Sequence, residues 1–246
     1  MFYLRLAAAL LAFVAASLYG VAIALARRDR SRVAADYAHL LGRLQRRVLG
    51  IRLEIHHRER LDAHRPAIIL ANHQSVLDVP ILAELFDAGQ VVIAKKELKN
   101  IPFFGWLYTV TGNILLDRGN REQAVESLRS AEEEIRRRKV AVWIFPEGTR
   151  GKEPGRLLPF KKGAFHMALH TGAPLIPVVV APLAPELDLK RHRLRPRTVE
   201  IRVLEPIPTA GLTDDEVPAL INEARHRMGA ALAEMDIARR LPPSDP

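Results

Sequence analysis

The stretch AIILANHQSVLD, Ala67 to Asp78, decides how this chain is read. Ala67 to Ala71 is a short, wholly apolar run, the pattern of a buried strand. Asn72 and His73 interrupt it, and a helix is expected to begin at Ser75. His73 and Asp78 stand five positions apart. On one continuous helix they would point about 140° away from each other. They meet only if His73 lies on the loop leaving the strand and Asp78 in the first helical turn. A carboxylate in contact with an imidazole fixes its tautomer and steadies the imidazolium that forms when the other nitrogen takes a proton. That is how a general base is built, and such a base can deprotonate a substrate hydroxyl directly. The same residues also spell a capping box, Ser75-Val-Leu-Asp78, in which Asp78 only satisfies backbone amides at a helix start. On this stretch alone both readings stand.

Working outward, strands and helices alternate. Ile51 to His56 alternates apolar and polar residues as a half-buried strand does, and Val91 to Ala94, Asn113 to Leu116, Leu175 to Val180 and Thr198 to Leu204 read as further strands. Val140 to Phe145 (VAVWIF) is a continuous apolar run, expected of a strand covered on both faces. Between them, helices are expected over Val76 to about Phe86, Asn120 to Lys139 with Asn120 and Gln123 at capping spacing, and Gly163 to His170 closed by Gly172. Thr213 and Glu216 open a last helix. This order predicts an α/β fold: a single domain with a mostly parallel or mixed sheet flanked by helices. The domain is expected over residues 50–238, with a disordered tail at 239–246.

The N-terminal residues 1–49 differ in kind. Leu6 to Ala26 runs 21 residues without a charge, about the length that crosses a hydrocarbon core. It ends in Arg27-Arg28-Asp29-Arg30-Ser31-Arg32, against a single Arg5 in front. If the segment spans, the positive-inside rule places the globular part on the cytoplasmic side. Alternatively it pairs with a second helix, Val33 to Leu49, as a hairpin lying in one leaflet. Either way a membrane-anchoring pair of helices precedes the domain. The chain carries 37 Lys+Arg against 28 Asp+Glu, a formal charge of +9, which suits anionic lipid, a phosphorylated substrate or nucleic acid. Nucleic acid is disfavoured, because no aromatic-interleaved basic motif or zinc-finger spacing occurs. There is no cysteine, which excludes a thiol nucleophile, a thiolate metal site and a disulfide scaffold.

Three further motifs fall where an α/β sheet presents its loops. Phe145-Pro-Glu-Gly-Thr-Arg150 follows the most apolar strand. There Gly148 permits close backbone approach, Thr149 adds a hydroxyl, Arg150 offers a planar fork for phosphate, and Glu147 is placed to hold that fork. Read blandly, it is a plain turn. Gly112-Asn-Ile-Leu-Leu-Asp117-Arg118 sets an acid–base pair at a strand end, which an exposed salt bridge would explain equally well. Ala94-Lys95-Lys96-Glu97-Leu98 precedes an apolar, aromatic loop, Ile101 to Trp106, suited to an acyl chain, a membrane surface or the core.

In this order, NHQSVLD, AKKEL with IPFFGW, GNILLDR, FPEGTR and Pro174-Leu-Ile-Pro-Val178 closely resemble the 1-acyl-sn-glycerol-3-phosphate acyltransferase family, within the glycerolipid acyltransferases. The resemblance covers roughly Ile51 to Leu204. It implies that His73 is the catalytic base and Asp78 its partner. It further implies that Arg118 and Lys95 bind the acceptor phosphate, and that Glu147, Gly148, Thr149 and Arg150 contribute to acceptor binding. Gly151 stands where the family often has serine. The implied reaction transfers a fatty acyl group from acyl-CoA or acyl carrier protein to the sn-2 hydroxyl of lysophosphatidic acid, giving phosphatidic acid, without a cofactor or metal. The implied setting is a bacterial-type inner membrane, with the globular domain on its cytoplasmic face. Two rivals are carried: the same chemistry on glycerol-3-phosphate, a lysophospholipid or a lyso-ornithine lipid, and a non-catalytic module that binds anionic lipid. His166 and His170 stand four apart, as in a zinc helix, but Met167 occupies the position where H-E-x-x-H needs its glutamate and no third ligand is evident, so they read as ordinary helix residues.

Overall fold

The computed structural model describes residues 1–117, 121–151, 153 and 155–240. Two helices come first, α1 (Phe2–Ala26) and α2 (Arg30–Leu49), followed by β1 (Ile51–His56), a short α3 (Glu59–Asp62), β2 (Ala67–Ala71) and α4 (Asp78–Leu82). Next are β3 (Gln90–Lys95), a 3-10 turn (Lys96–Asn100), α5 (Phe104–Val110), β4 (Ile114–Leu116), α6 (Arg121–Arg138) and β5 (Ala141–Ile144). The chain closes with α7 (Gly163–Thr171), β6 (Leu175–Val180), the small hairpin β7 (Leu187–Asp188) and β8 (Arg193–Leu194), β9 (Arg197–Val203), a 3-10 turn (Asp214–Glu216) and α8 (Val217–Arg240).

Among the described residues, seven strands form one sheet in the order β1-β9-β6-β2-β5-β3-β4. From β6 to β4 all neighbours are parallel, whereas β9 pairs antiparallel with β6 and parallel with β1. The sheet is therefore mixed and mostly parallel, as the sequence predicts. β2 lies at its centre with every residue buried. Its side chains alternate between two apolar layers. Ile68 and Leu70 join Ile135, Phe165 and Met228 under α6, α7 and α8, while Ile69 joins Leu49, Leu61 and Ile81 under α2 and α4. Covering both faces explains why a strand of this kind carries no polar alternation.

Several elements depart from expectation. The helix expected from Ser75 to Phe86 shrinks to α4, because the amides before it are taken by side chains: Asp78 accepts from Gln74 N and Ser75 N, and Leu77 N donates to Ser75 Oγ. Ile101 to Trp106 is not a plain loop. Phe103 adopts a positive φ of 62° and α5 begins directly after it. Gly105 makes this turn feasible, since a Cβ there would lie 2.1 Å from the Lys99 carbonyl oxygen. The expected cap at Asn120 and the expected disordered LPPSDP tail lie outside the described residues, and α8 continues through Arg240.

α1 and α2 pack on each other around Ala16, Ala24, Val33, Tyr37 and Leu41, and α5 joins them through Leu107. α1 also touches the domain near both ends. Arg5 Nη1 donates to the Leu194 carbonyl at 2.6 Å, and Gly20 packs so closely that a Cβ would meet Leu107 and Tyr37. α1 is long and apolar enough to cross a membrane. Its outward residues include Leu4, Leu10, Leu11, Leu18 and Leu25.

Candidate active site

Because β6, β2, β5, β3 and β4 run in one direction, their carboxyl ends open on one edge of the sheet, where open α/β sheets bind ligands. β2 delivers Asn72, His73 and Gln74 to that edge. Asn72 is buried and extends the sheet with its amide: Nδ2 donates to the Val180 carbonyl at 3.0 Å, and Val180 N donates to Oδ1 at 2.8 Å. Gln74 repeats the device, accepting from Leu183 N and donating to the Val180 and Ala181 carbonyls. His73 is thus fixed between two clamped neighbours.

The imidazole itself is held on two sides. Its Nδ1 lies 2.7 Å from Asp78 Oδ2, and its plane stacks on the Phe145 ring at 4.0 Å between centroids with a 14° tilt. Asp78 is fully buried, and the same Oδ2 accepts from Gln74 N at 2.8 Å and Ser75 N at 2.9 Å. One oxygen atom therefore both takes the amides at the helix start and fixes the imidazole. An acceptor-only carboxylate at Nδ1 assigns the proton to that nitrogen, leaving the Nε2 lone pair available.

Phe145 to Arg150 leaves the adjacent end of β5. A turn closes it, with Gly148 N donating to the Phe145 carbonyl at 3.0 Å and Gly148 at a φ of 71°. Glu147 points inward rather than to the Arg150 fork. Its Oε1 accepts from His73 N and its Oε2 from Leu158 N, both at 2.8 Å. Gly151 N in turn donates to the His73 carbonyl at 2.8 Å. Glu147 thereby ties the β2 loop to the β5 loop. Burial pushes its carboxyl above the ordinary glutamate range, against the two backbone amides and His73.

An apolar cavity of about 420 Å³ begins at this edge. His73, Lys95, Gly148, Thr149 and Arg150 all line it, which brings five of the sequence-predicted residues to one mouth. Lys95 and Arg150 are exposed there. Glu147 does not line it. Arg118 lies outside the described residues, and its neighbour Asp117 bonds Lys96. The inner wall holds residues that the sequence reading gave no site role: Ala34, Tyr37 and Leu41 of α2, and Leu107 and Tyr108 of α5. The amphipathic face of α2 was visible as a pattern, but not what it would face.

The sequence profile of the Acyltransferase family matches residues 52–181. The 1-acyl-sn-glycerol-3-phosphate acyltransferase of Salmonella typhimurium is 37% identical over 202 residues, which span 82% of this chain and 81% of that protein. The chain belongs to this acyltransferase family. The Saccharomyces cerevisiae protein of the same name is 38% identical over 189 residues, spanning 76% of this chain and 62% of the yeast one. In structure, the acyltransferase resembles the 1-acyl-sn-glycerophosphate (LPA) acyltransferase PlsC of Thermotoga maritima, with a TM-score of 0.75 at 26% identity over 96% of this chain and 98% of that one. As an acyltransferase, the chain presents a buried carboxylate, an oriented imidazole and an apolar cavity in continuous contact.

Proposed function

We propose that this acyltransferase moves a fatty acyl group from a thioester, acyl-CoA or acyl carrier protein, to the sn-2 hydroxyl of 1-acyl-glycerol-3-phosphate, forming phosphatidic acid. The observation that carries the reading is the 2.7 Å His73–Asp78 contact in an imidazole that lines an apolar cavity together with Lys95 and Arg150. His73 Nε2 takes the hydroxyl proton while the oxygen attacks the thioester carbonyl. The C–S bond then breaks and the imidazolium returns its proton to the departing sulfur. General-base assistance of this kind contributes about 10²–10⁴-fold, and holding both substrates in place supplies much of the remainder. No acyl-enzyme intermediate is required, because the base deprotonates the acceptor hydroxyl directly. The cavity takes an acyl chain, and Lys95, Arg150 and Arg118 meet the phosphate.

The membrane enters the same scheme. α1 carries its outward leucines along a helix that the domain contacts near both ends, a placement that suits lying in one leaflet better than crossing two. Phe103 and Trp106 are exposed beside it. If α1 instead crosses the bilayer, the arginines after it orient the domain to the cytoplasmic face of the bacterial-type inner membrane that this reading takes as its setting.

An acceptor panel tests the substrate. Purified chain is given radiolabelled acyl-CoA or acyl carrier protein with 1-acyl-glycerol-3-phosphate, glycerol-3-phosphate, a lysophospholipid or lyso-ornithine lipid. The first acceptor is expected to be used with the highest kcat/KM; preference for any of the others would replace it as the substrate.

A further inference from the structure

On the other face of the sheet from the cavity, α7 buries Phe165 and Met167 in the core and turns His166 and His170 outward. The sequence offered these two imidazoles no third ligand. The fold supplies one from 48 residues away: Asp214, in the 3-10 turn before α8, lies 2.8 Å from His166 Nδ1 and 3.5 Å from His170 Nε2 through the same Oδ1. One donor atom from each of the three residues lies within 4.8 Å of the others. The far side of His170 is also engaged. Its Nδ1 lies 3.0 Å from Glu132 Oε1 on α6, and that carboxylate is largely buried.

We propose that His166, His170 and Asp214 bind one divalent transition-metal ion of the Zn²⁺ type, with Glu132 as the group that orients His170. Ligand type favours this class, since two imidazoles and a carboxylate suit Zn²⁺ rather than the all-oxygen sets of Mg²⁺ or Ca²⁺. Geometry does too. Metal–ligand bonds of about 2.0–2.2 Å place tetrahedral donor atoms roughly 3.3–3.5 Å apart. The His170–Asp214 separation already has that value, and the His166–Asp214 pair needs to open by roughly half an ångström, which exposed side chains do by small rotations. The Glu132 contact matches the carboxylate–histidine–metal arrangement in which the outer carboxylate fixes the tautomer and leaves Nε2 as the ligand. With both imidazoles neutral, the ion's charge is met by Asp214 and Glu132 together. The neighbouring Arg136 guanidinium is turned to the His170 carbonyl and not to a ligand atom. Bound metal would join α6, α7 and the start of α8 on the helical layer, apart from the acyl-transfer chemistry.

The test uses the full chain without an affinity tag, stripped by chelator and titrated with Zn²⁺ by calorimetry and with Co²⁺ by visible absorption. One equivalent is expected to bind, with a Co²⁺ spectrum of tetrahedral type and a Tm that rises with free Zn²⁺. His166→Ala and His170→Ala, shown to be folded by circular dichroism, are expected to abolish the saturable phase. Glu132→Gln, which preserves shape, is expected to weaken binding about 10–100-fold. Absence of one-to-one binding by the native chain, or folded His variants that bind as tightly as it does, overturns the proposal.

Discussion

Two histidine–carboxylate pairs in this chain have nearly equal lengths and opposite surroundings. His73 Nδ1 lies 2.7 Å from Asp78 and His166 Nδ1 lies 2.8 Å from Asp214. The Asp78 side chain is 0% exposed and the Asp214 side chain 64%. Asp78 also accepts two backbone amides through the same oxygen, so it cannot turn without unsatisfying them. Asp214 is shared between two imidazoles at the surface, where water competes for each contact and each contributes little to stability. Separation alone therefore does not set what a histidine–carboxylate pair can do. What distinguishes the first is that burial and backbone bonds leave its carboxylate one orientation, and that its imidazole opens on a cavity.

Asp78→Asn probes that distinction most severely. The amide keeps its one acceptor oxygen where His73 and the two backbone amides all donate, but it loses the negative charge that steadies the imidazolium formed when Nε2 takes a proton. A kcat loss of about 10⁴-fold is expected by analogy with other imidazole–carboxylate pairs. Steady-state acyl transfer measures it, and a loss below tenfold would mean that the imidazole needs no such partner.

Arg150→Ala and Lys95→Ala probe the mouth instead of the base. Each removes a cation whose contact to a phosphate is worth about 1.5–3 kcal/mol, so KM for a phosphorylated acceptor is expected to rise roughly 10–100-fold with kcat much less affected. An equal KM for wild type and variant would place the phosphate elsewhere.

Glu147→Gln has the smallest expected effect and acts on the framework. Glutamine leaves one of the two backbone donors without an acceptor, a cost of about 1–3 kcal/mol in unfolding free energy. The pH dependence carries a sign. Burial raises the Glu147 carboxyl in the folded chain, so above the ordinary glutamate value the folded state keeps a proton that the unfolded state releases. That contribution to stability is complete below the ordinary value and is lost as pH rises through the raised one. The stability gap between wild type and variant should accordingly narrow with rising pH, as urea midpoints across the acidic range would reveal; a widening gap would contradict the burial argument.

Much of this was legible in the sequence, and the exceptions share a cause. β1, β2 and β6 fall where their patterns place them, because alternation and continuous apolar runs report burial directly. The placing of His73 on a loop and Asp78 at a helix start follows from the five-residue spacing. α4 came out shorter because side chains, not backbone, take the preceding amides. α5 was hidden because it starts from a positive φ at Phe103, which no propensity favours. Glu147 faces inward because the β2 loop crosses beside it, and Asp214 meets His166 across 48 residues; both are consequences of strand order, which local patterns do not encode. The contribution of α2 to the cavity wall is of the same kind.

The central claim is that His73 is the base that deprotonates the acceptor hydroxyl. Initial rates of radiolabelled acyl transfer to 1-acyl-glycerol-3-phosphate, comparing wild type with His73→Ala, test it most directly. The account predicts a fall of at least about 10²-fold in a chain that circular dichroism shows to be folded at the assay temperature. A folded His73→Ala chain that transfers acyl groups at the wild-type rate would contradict it.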